Sequence, residues 1–108
     1  GHPQGSIESP HLVRKRGKWW LIAHARVRDK PIHNWIWESD RIDKFDFNSG
    51  REFWKEAGGI ELMKEKGDRW LAATFTGGYI RYGLIDWSQS PPAARSIQSY
   101  EELAEWRA

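Results

Sequence analysis

The thirteen residues from His11 to Ala23 lie over those from Glu61 to Ala73 without a gap, and five of the aligned pairs are identical. Leu12, Gly17, Trp20, Leu21 and Ala23 recur as Leu62, Gly67, Trp70, Leu71 and Ala73, each displaced by fifty positions. A period of this size belongs to propeller blades or helical arrays, and the content of the unit decides between them. Each copy is an apolar stretch, a charged turn containing glycine, and a second apolar stretch carrying tryptophan. That is a β-hairpin. The expected fold is therefore mainly β: two antiparallel, propeller-blade-like sheets with a hairpin repeat of period about 50.

Composition supports short strands. Eight tryptophans, three tyrosines and four phenylalanines in 108 residues supply a core for one domain, since each buried ring removes roughly 150–250 Å² from water. The chain has no cysteine, which removes disulfides and thiolate metal sites and fits a reducing compartment. A cytoplasmic location is the expectation, with export left open. No apolar run reaches the length of a membrane span, so no membrane partner is expected. Neither a cofactor nor a metal is expected, because His11, His24 and His33 lack metal-ligand spacing. The net charge of +2 divides unevenly: residues 1–30 hold seven Lys/Arg against two acids, and the remainder ten against thirteen.

Along the chain, Gly1-His2 reads as the remnant of a cleaved expression tag, and residues 1–6 as a lead-in. A first blade-like unit is expected over 7–57. Its strands lie near 11–14 and 19–26 around the Lys15–Lys18 turn, and near 34–38, with a loop over 39–50 and a helical turn near 51–57. Pro10 should hold Ser9 in extended geometry. A second unit covers 58–94, with strands near 60–64, 69–75 and 79–85, and a linker over 88–94. The Gly77-Gly78 pair between apolar runs demands a tight hairpin turn. Residues 95–108 carry a short C-terminal helix, because Ser99 and Glu102 have capping-box spacing. Tyr100, Leu103 and Trp106 then share a helix face that should dock on a sheet.

The segment Glu8-Ser9-Pro10-His11-Leu12-Val13, followed by Gly17-Lys18-Trp19-Trp20-Leu21, resembles the five-bladed β-propeller of the glycoside hydrolase clan that holds arabinanases, xylosidases, invertases and levansucrases. Trp37-Glu38-Ser39-Asp40-Arg41-Ile42-Asp43-Lys44-Phe45 is similar to that family's third strand and following turn. The likeness spans residues 7–87, two blades' worth. It implies that Glu8 is the general acid, a role that needs a partly apolar or like-charged pocket. His11, Trp19, Trp20 and Trp37 are the candidate sugar-binding residues, the indoles offering flat rings for stacking. Glycosidic cleavage takes two carboxyl groups, and the family's other acids lie on blades that match nothing here. Catalysis, if any, is therefore incomplete in one chain, and Asp29, Asp40, Asp43 and Asp46 do not fill the gap.

Two functions of other classes stand beside this one. The basic hairpin of Arg14, Lys15, Arg16 and Lys18 next to Trp19 mixes cations and rings as single-strand nucleic-acid binders do. An aromatic-rich sheet face could equally serve as a protein-interaction surface. Two blades leave apolar faces open, since such arrays usually need three units. Self-association, with a dimer favoured, is the expected way to cover them. A closed sandwich, or the C-terminal helix covering one face, are the alternatives.

Overall fold

A computed structural model describes residues 7–55 and 58–107; the lead-in at 1–6 lies outside them. The first sheet contains β1 (Ile7–Lys15), β2 (Lys18–Ala25), β3 (His33–Ser39) and β4 (Arg51–Trp54). The second contains β5 (Ile60–Lys66), β6 (Arg69–Thr76), β7 (Tyr79–Asp86) and β8 (Ala93–Ser96), followed by α1 (Tyr100–Ala104). Both sheets are four-stranded antiparallel meanders with strands in chain order. The mainly-β, two-sheet architecture is the one the repeat predicts, and the short terminal helix the one the capping-box spacing predicts.

Two expected elements are replaced by strands. Residues 51–54 form β4 rather than a helical turn, pairing Arg51 with Ile36, Glu52 with Trp35 and Trp54 with Asn34. This pairing satisfies backbone groups that would otherwise leave β3 as a bare edge. The expected 88–94 linker ends early, because Ala93 already pairs with Asp86 and begins β8.

The turns follow local chemistry. Arg16 and Gly17 have φ of 55° and 74°, and Gly77 and Gly78 of 62° and 85°. Both pairs suit two-residue hairpins whose twist matches the strands. Ser9 departs from expectation: its φ is 51°, not extended, where the β1–β2 register shifts between Glu8 and His11. A bulge accommodates the extra residue there.

The repeat is faithful on the second strand of each hairpin and broken on the first. Trp20 and Trp70 both face between the sheets and belong to one buried cluster. Leu12 pairs with Leu21 and is exposed, whereas Leu62 pairs with Ala72 and packs against that buried cluster. The register shift between Leu62 and Lys64 moves Leu62 to the opposite face, since side chains alternate with a period of two.

The sheets stack strand over strand. The His11 ring nitrogen Nε2 lies 2.6 Å from the Ile60 carbonyl oxygen, joining β1 to β5. Trp54 Nε1 donates to Ser96 Oγ at 2.9 Å, joining β4 to β8. Between them the core holds Trp20, Ile22, Ile36 and Trp54 from the first sheet, and Ile60, Trp70, Ala72, Ile85 and Trp87 from the second half. Trp87 sits edge-on to two rings, 5.8 Å from Trp20 and 5.3 Å from Trp70.

Each outer face carries its own cover. Phe45 and Phe47 from the β3–β4 connection pack on Ala23, Ala25, Trp35 and Trp37. Trp106 and Leu103 close over Leu71 and Leu84. Ser99 Oγ accepts from the Glu102 backbone N–H at 3.0 Å, capping α1. The Glu102 carboxylate accepts from both terminal nitrogens of Arg95 on β8. Tyr100 lines one hollow with Leu71, Leu103 and Trp106 but stays exposed, with Arg107 above its ring.

Truncating the ring at the sheet–sheet junction tests this packing. Trp87→Ala should destabilise the fold by about 3–5 kcal/mol, the usual cost of removing a buried indole, read as a lower midpoint in urea denaturation. Gly83→Ala should also destabilise, by roughly 1–3 kcal/mol, because a Cβ there would meet the Trp54 ring at 2.7 Å.

Candidate functional site

The sequence-derived site residues are divided between the two ends and two faces of the first sheet. Glu8 stands at the start of β1, opposite His24 in the ladder. Its Oε1 lies 3.6 Å from His24 Nδ1, and its side chain is 74% exposed. The carboxyl is solvated, so these two sheets do not build the apolar or like-charged pocket that the general-acid role asks for. Other acids of the first unit are engaged elsewhere. Asp40 pairs with Lys18 at 3.2 Å, Asp43 with Arg41 at 2.9 Å, and Asp46 caps the short 3-10 turn Phe47–Ser49.

The candidate aromatic platforms are placed differently from one another. Trp37 is 1% exposed and stacks on Phe47, donating Nε1 to its carbonyl at 2.7 Å. It is a core residue of the outer face and offers no ring to a ligand. Trp19 is half-buried on the same outer face, with the Arg14 guanidinium 5.1 Å above its ring. Trp20 faces the other way, into the sheet–sheet core, and donates Nε1 to the Lys15 carbonyl at 3.0 Å. His11 is held by the Ile60 carbonyl; because a carbonyl only accepts, Nε2 must carry the proton. Its role is to tie two strands.

The basic hairpin is largely neutralised within the fold. Lys15 and Arg16 both reach Asp68, at 3.1 and 3.2 Å. Arg16 Nε donates to the Trp87 carbonyl at 2.8 Å. Lys18 lies 3.7 Å from Glu38 as well as close to Asp40. Of the four cations, Arg14 alone is given over to an aromatic ring rather than to a carboxylate.

These contacts frame a cleft of about 440 Å³ between the sheets at their turn ends. Trp20 and Trp87 form its floor, Arg16, Lys18, Glu38 and Arg51 its sides, and residues 89–92 its lip. Arg51 Nη1 lies 3.3 Å from Glu38 Oε1. Arg51 Nη2 and Trp87 Nε1 are buried N–H donors with no hydrogen-bond partner. Glu8 is far from this cleft: it lies seven strand positions before Lys15, roughly 23 Å at about 3.3 Å per position.

The lip is shaped by Asp86, whose carboxylate accepts from Ser88 Oγ at 2.6 Å, Ser88 N–H at 2.9 Å and Gln89 Nε2 at 3.2 Å. These bonds, the Ser88 hydroxyl first, hold its carboxyl below the ordinary 3.8.

Sequence reasoning missed Glu38, Arg51 and Trp87 as members of one site. Trp87 had a signal, since it follows Trp37 by the repeat distance of fifty. Glu38 and Arg51 had none, because their meeting depends on how β3 and β4 pair. Among the described residues, no group of three or more His, Cys, Asp or Glu is placed to hold a metal ion. No described helix is long and apolar enough to cross a membrane. Neither a family model, nor a curated protein, nor a solved structure matches the chain.

A carboxyl held below its ordinary range contributes stability above that range and loses it as pH falls through its folded value. The Ser88 amide signal in an NMR titration should therefore stay constant from neutral pH downward and move with a midpoint below 3.8. Asp86→Ala should abolish this titration.

Proposed function

We propose that this chain is a carbohydrate-binding module of glycosidase-propeller type, catalytically incomplete by itself, that pairs with a second copy. The observation that carries this reading is the strand-over-strand stacking of the two sheets, with β1 beside β5 and β4 beside β8. Neighbouring propeller blades meet in this way, and their first strands line the shared channel. Glu8 then stands on the first strand, at the rim that a channel would use, with its carboxylate open to a hydroxyl-bearing ligand. Its chemistry in one chain stops at hydrogen bonding, because cleavage calls for a second, correctly spaced carboxyl.

Self-association draws support from the outer face of the second sheet. The helix covers Leu71 and Leu84 but leaves the far half uncovered. Phe75 and Ile80 are cross-strand partners there, 66% and 58% exposed, and with Met63 they line one hollow. Apolar side chains grouped in this way mark an interface. The same group favours the second reading, a protein-interaction module without chemistry. The nucleic-acid reading loses ground, because Asp68, Asp40 and Glu38 already satisfy most of the hairpin cations. A cysteine-free chain suits the cytoplasm.

Calorimetry against a panel of neutral oligosaccharides should detect binding that weakens in Glu8→Gln, while aryl-glycoside hydrolysis stays at the background rate. Failure of every glycan to bind would remove the carbohydrate reading, and turnover by the isolated chain would remove its incompleteness. Sedimentation across protein concentration should show a dimer that Phe75→Asp shifts to monomer; a monomer at all concentrations would refute pairing.

A further inference from the structure

The outer face of the second sheet sets one acid among accessible apolar side chains. Glu61, Ala73 and Tyr82 stand in a row across β5, β6 and β7, and Phe75 and Ile80 form the next row of the same face. Residues directly opposite on paired strands point to the same side. With Met63 they line a hollow of about 370 Å³, within the range of small-molecule sites. Alanine in the middle of the row leaves the space, because two strand spacings, about 10 Å, separate the strand of the carboxylate from that of the tyrosine. Glu61, Met63, Phe75 and Ile80 are all exposed, so a ligand reaches them from solvent. Among the described residues, Glu61 is the one charged side chain that lines the hollow, and no cation pairs with it. Elsewhere the chain supplies cations to its own rings: Arg14 lies 5.1 Å from the centre of Trp19, Lys66 4.8 Å from Trp106 and Arg107 5.7 Å from Tyr100. Phe75 and Tyr82 receive none from the described residues.

We propose that this hollow binds a small alkylated ammonium compound, with its charge beside the Glu61 carboxylate and its alkyl groups against Phe75, Ile80 and Met63. The lone carboxylate selects a cation, and an aromatic ring attracts one through its quadrupole. Apolar walls favour alkyl groups on the nitrogen, since N–H bonds brought there would give up water without gaining acceptors. The site depends neither on pairing nor on the glycan reading of Glu8. A chain that stays monomeric still presents the hollow, and Glu8 belongs to the first sheet.

The test is an NMR titration of the whole chain with choline, phosphocholine, glucose and neohexyl alcohol, the neutral isostere of choline with carbon in place of nitrogen. Choline should shift the Glu61, Ala73 and Tyr82 amide signals saturably. The indole signals of Trp19 and Trp106, whose rings already carry a cation of the chain, should stay unmoved. Neohexyl alcohol should bind roughly fivefold or more weakly, having lost both the charge pair and the attraction to the rings. Glucose should have no effect, and phosphocholine should bind more weakly than choline because its phosphate adds an anion near Glu61. Glu61→Gln should weaken choline roughly two- to fivefold, the scale of an exposed charge pair. Phe75→Leu keeps the apolar bulk but removes the ring, and should weaken choline by a similar factor. The dispersion of the remaining amide signals establishes that both variants fold. Where copies pair through Phe75, choline competes and sedimentation should show more monomer; a choline shift in a chain that never pairs supports the site and refutes pairing alone. Absence of a saturable shift would overturn the proposal. So would equal response to neohexyl alcohol or glucose, equal movement of the Trp19 and Trp106 signals, tighter binding of phosphocholine, or unchanged choline affinity in folded Glu61→Gln.

Discussion

The two sheets depend on one ring. Trp87 follows β7 and enters the space between the sheets, edge-on to Trp20 from one and Trp70 from the other. Edge-to-face contact suits the charge distribution of indoles and adds to the area they bury. The same residue is tied by its backbone: its N–H donates to the Asp68 carbonyl at 2.8 Å, and its carbonyl accepts from Arg16. Both hairpin turns are thereby fastened to it. The Lys15 and Arg16 ion pairs with Asp68 join the turns directly. Partly exposed pairs contribute little on their own, so packing around Trp87 dominates and the charges fix orientation.

From this junction the rest of the architecture follows. Seating Trp20 and Trp70 inward forces Leu21, Ala23, Ala25 and Leu71 outward, because alternate residues on a strand face opposite sides. Each sheet therefore needs a second cover. The first takes it from Phe45 and Phe47, which bring the β3–β4 connection down onto Trp35 and Trp37. The second takes it from the segment after β8, where Trp106 is buried and Lys64 donates to its carbonyl at 2.9 Å. The second cover is shorter than the face beneath it, which is why Phe75 and Ile80 stay exposed. At the turn ends the sheets leave the cleft, whose polar sides come from the β1–β2 turn and the adjacent ends of β2, β3 and β4 rather than from the core.

Much of this was legible in the residues. The fifty-residue repeat located both hairpins, Gly77-Gly78 located a third turn, and Ser99 with Glu102 located the helix. Strands β4 and β8 were not legible: at four residues each they are too short for alternation to register, and they exist because β3 and β7 offer unpaired backbone. The exposure of Leu12 against the inward turn of Leu62 was equally hidden, since the register shift beside Lys64 has no marker in the aligned segment.

Site residues divide along the same line. What the chain's order of residues determined alone is local: hairpins, turns, a capped helix, and an aromatic supply sufficient for a two-layer core. These follow from conformational preference and from the period of two, which act over a few residues. The tertiary structure decided which tryptophans are core, sending Trp37 outward under Phe47 and Trp20 inward beside Trp87. It also decided that the basic hairpin meets Asp68, and that Arg51 and Trp87 share a cleft. Those outcomes rest on contacts between residues tens of positions apart. No local preference encodes them; they are set by how two sheet faces pack.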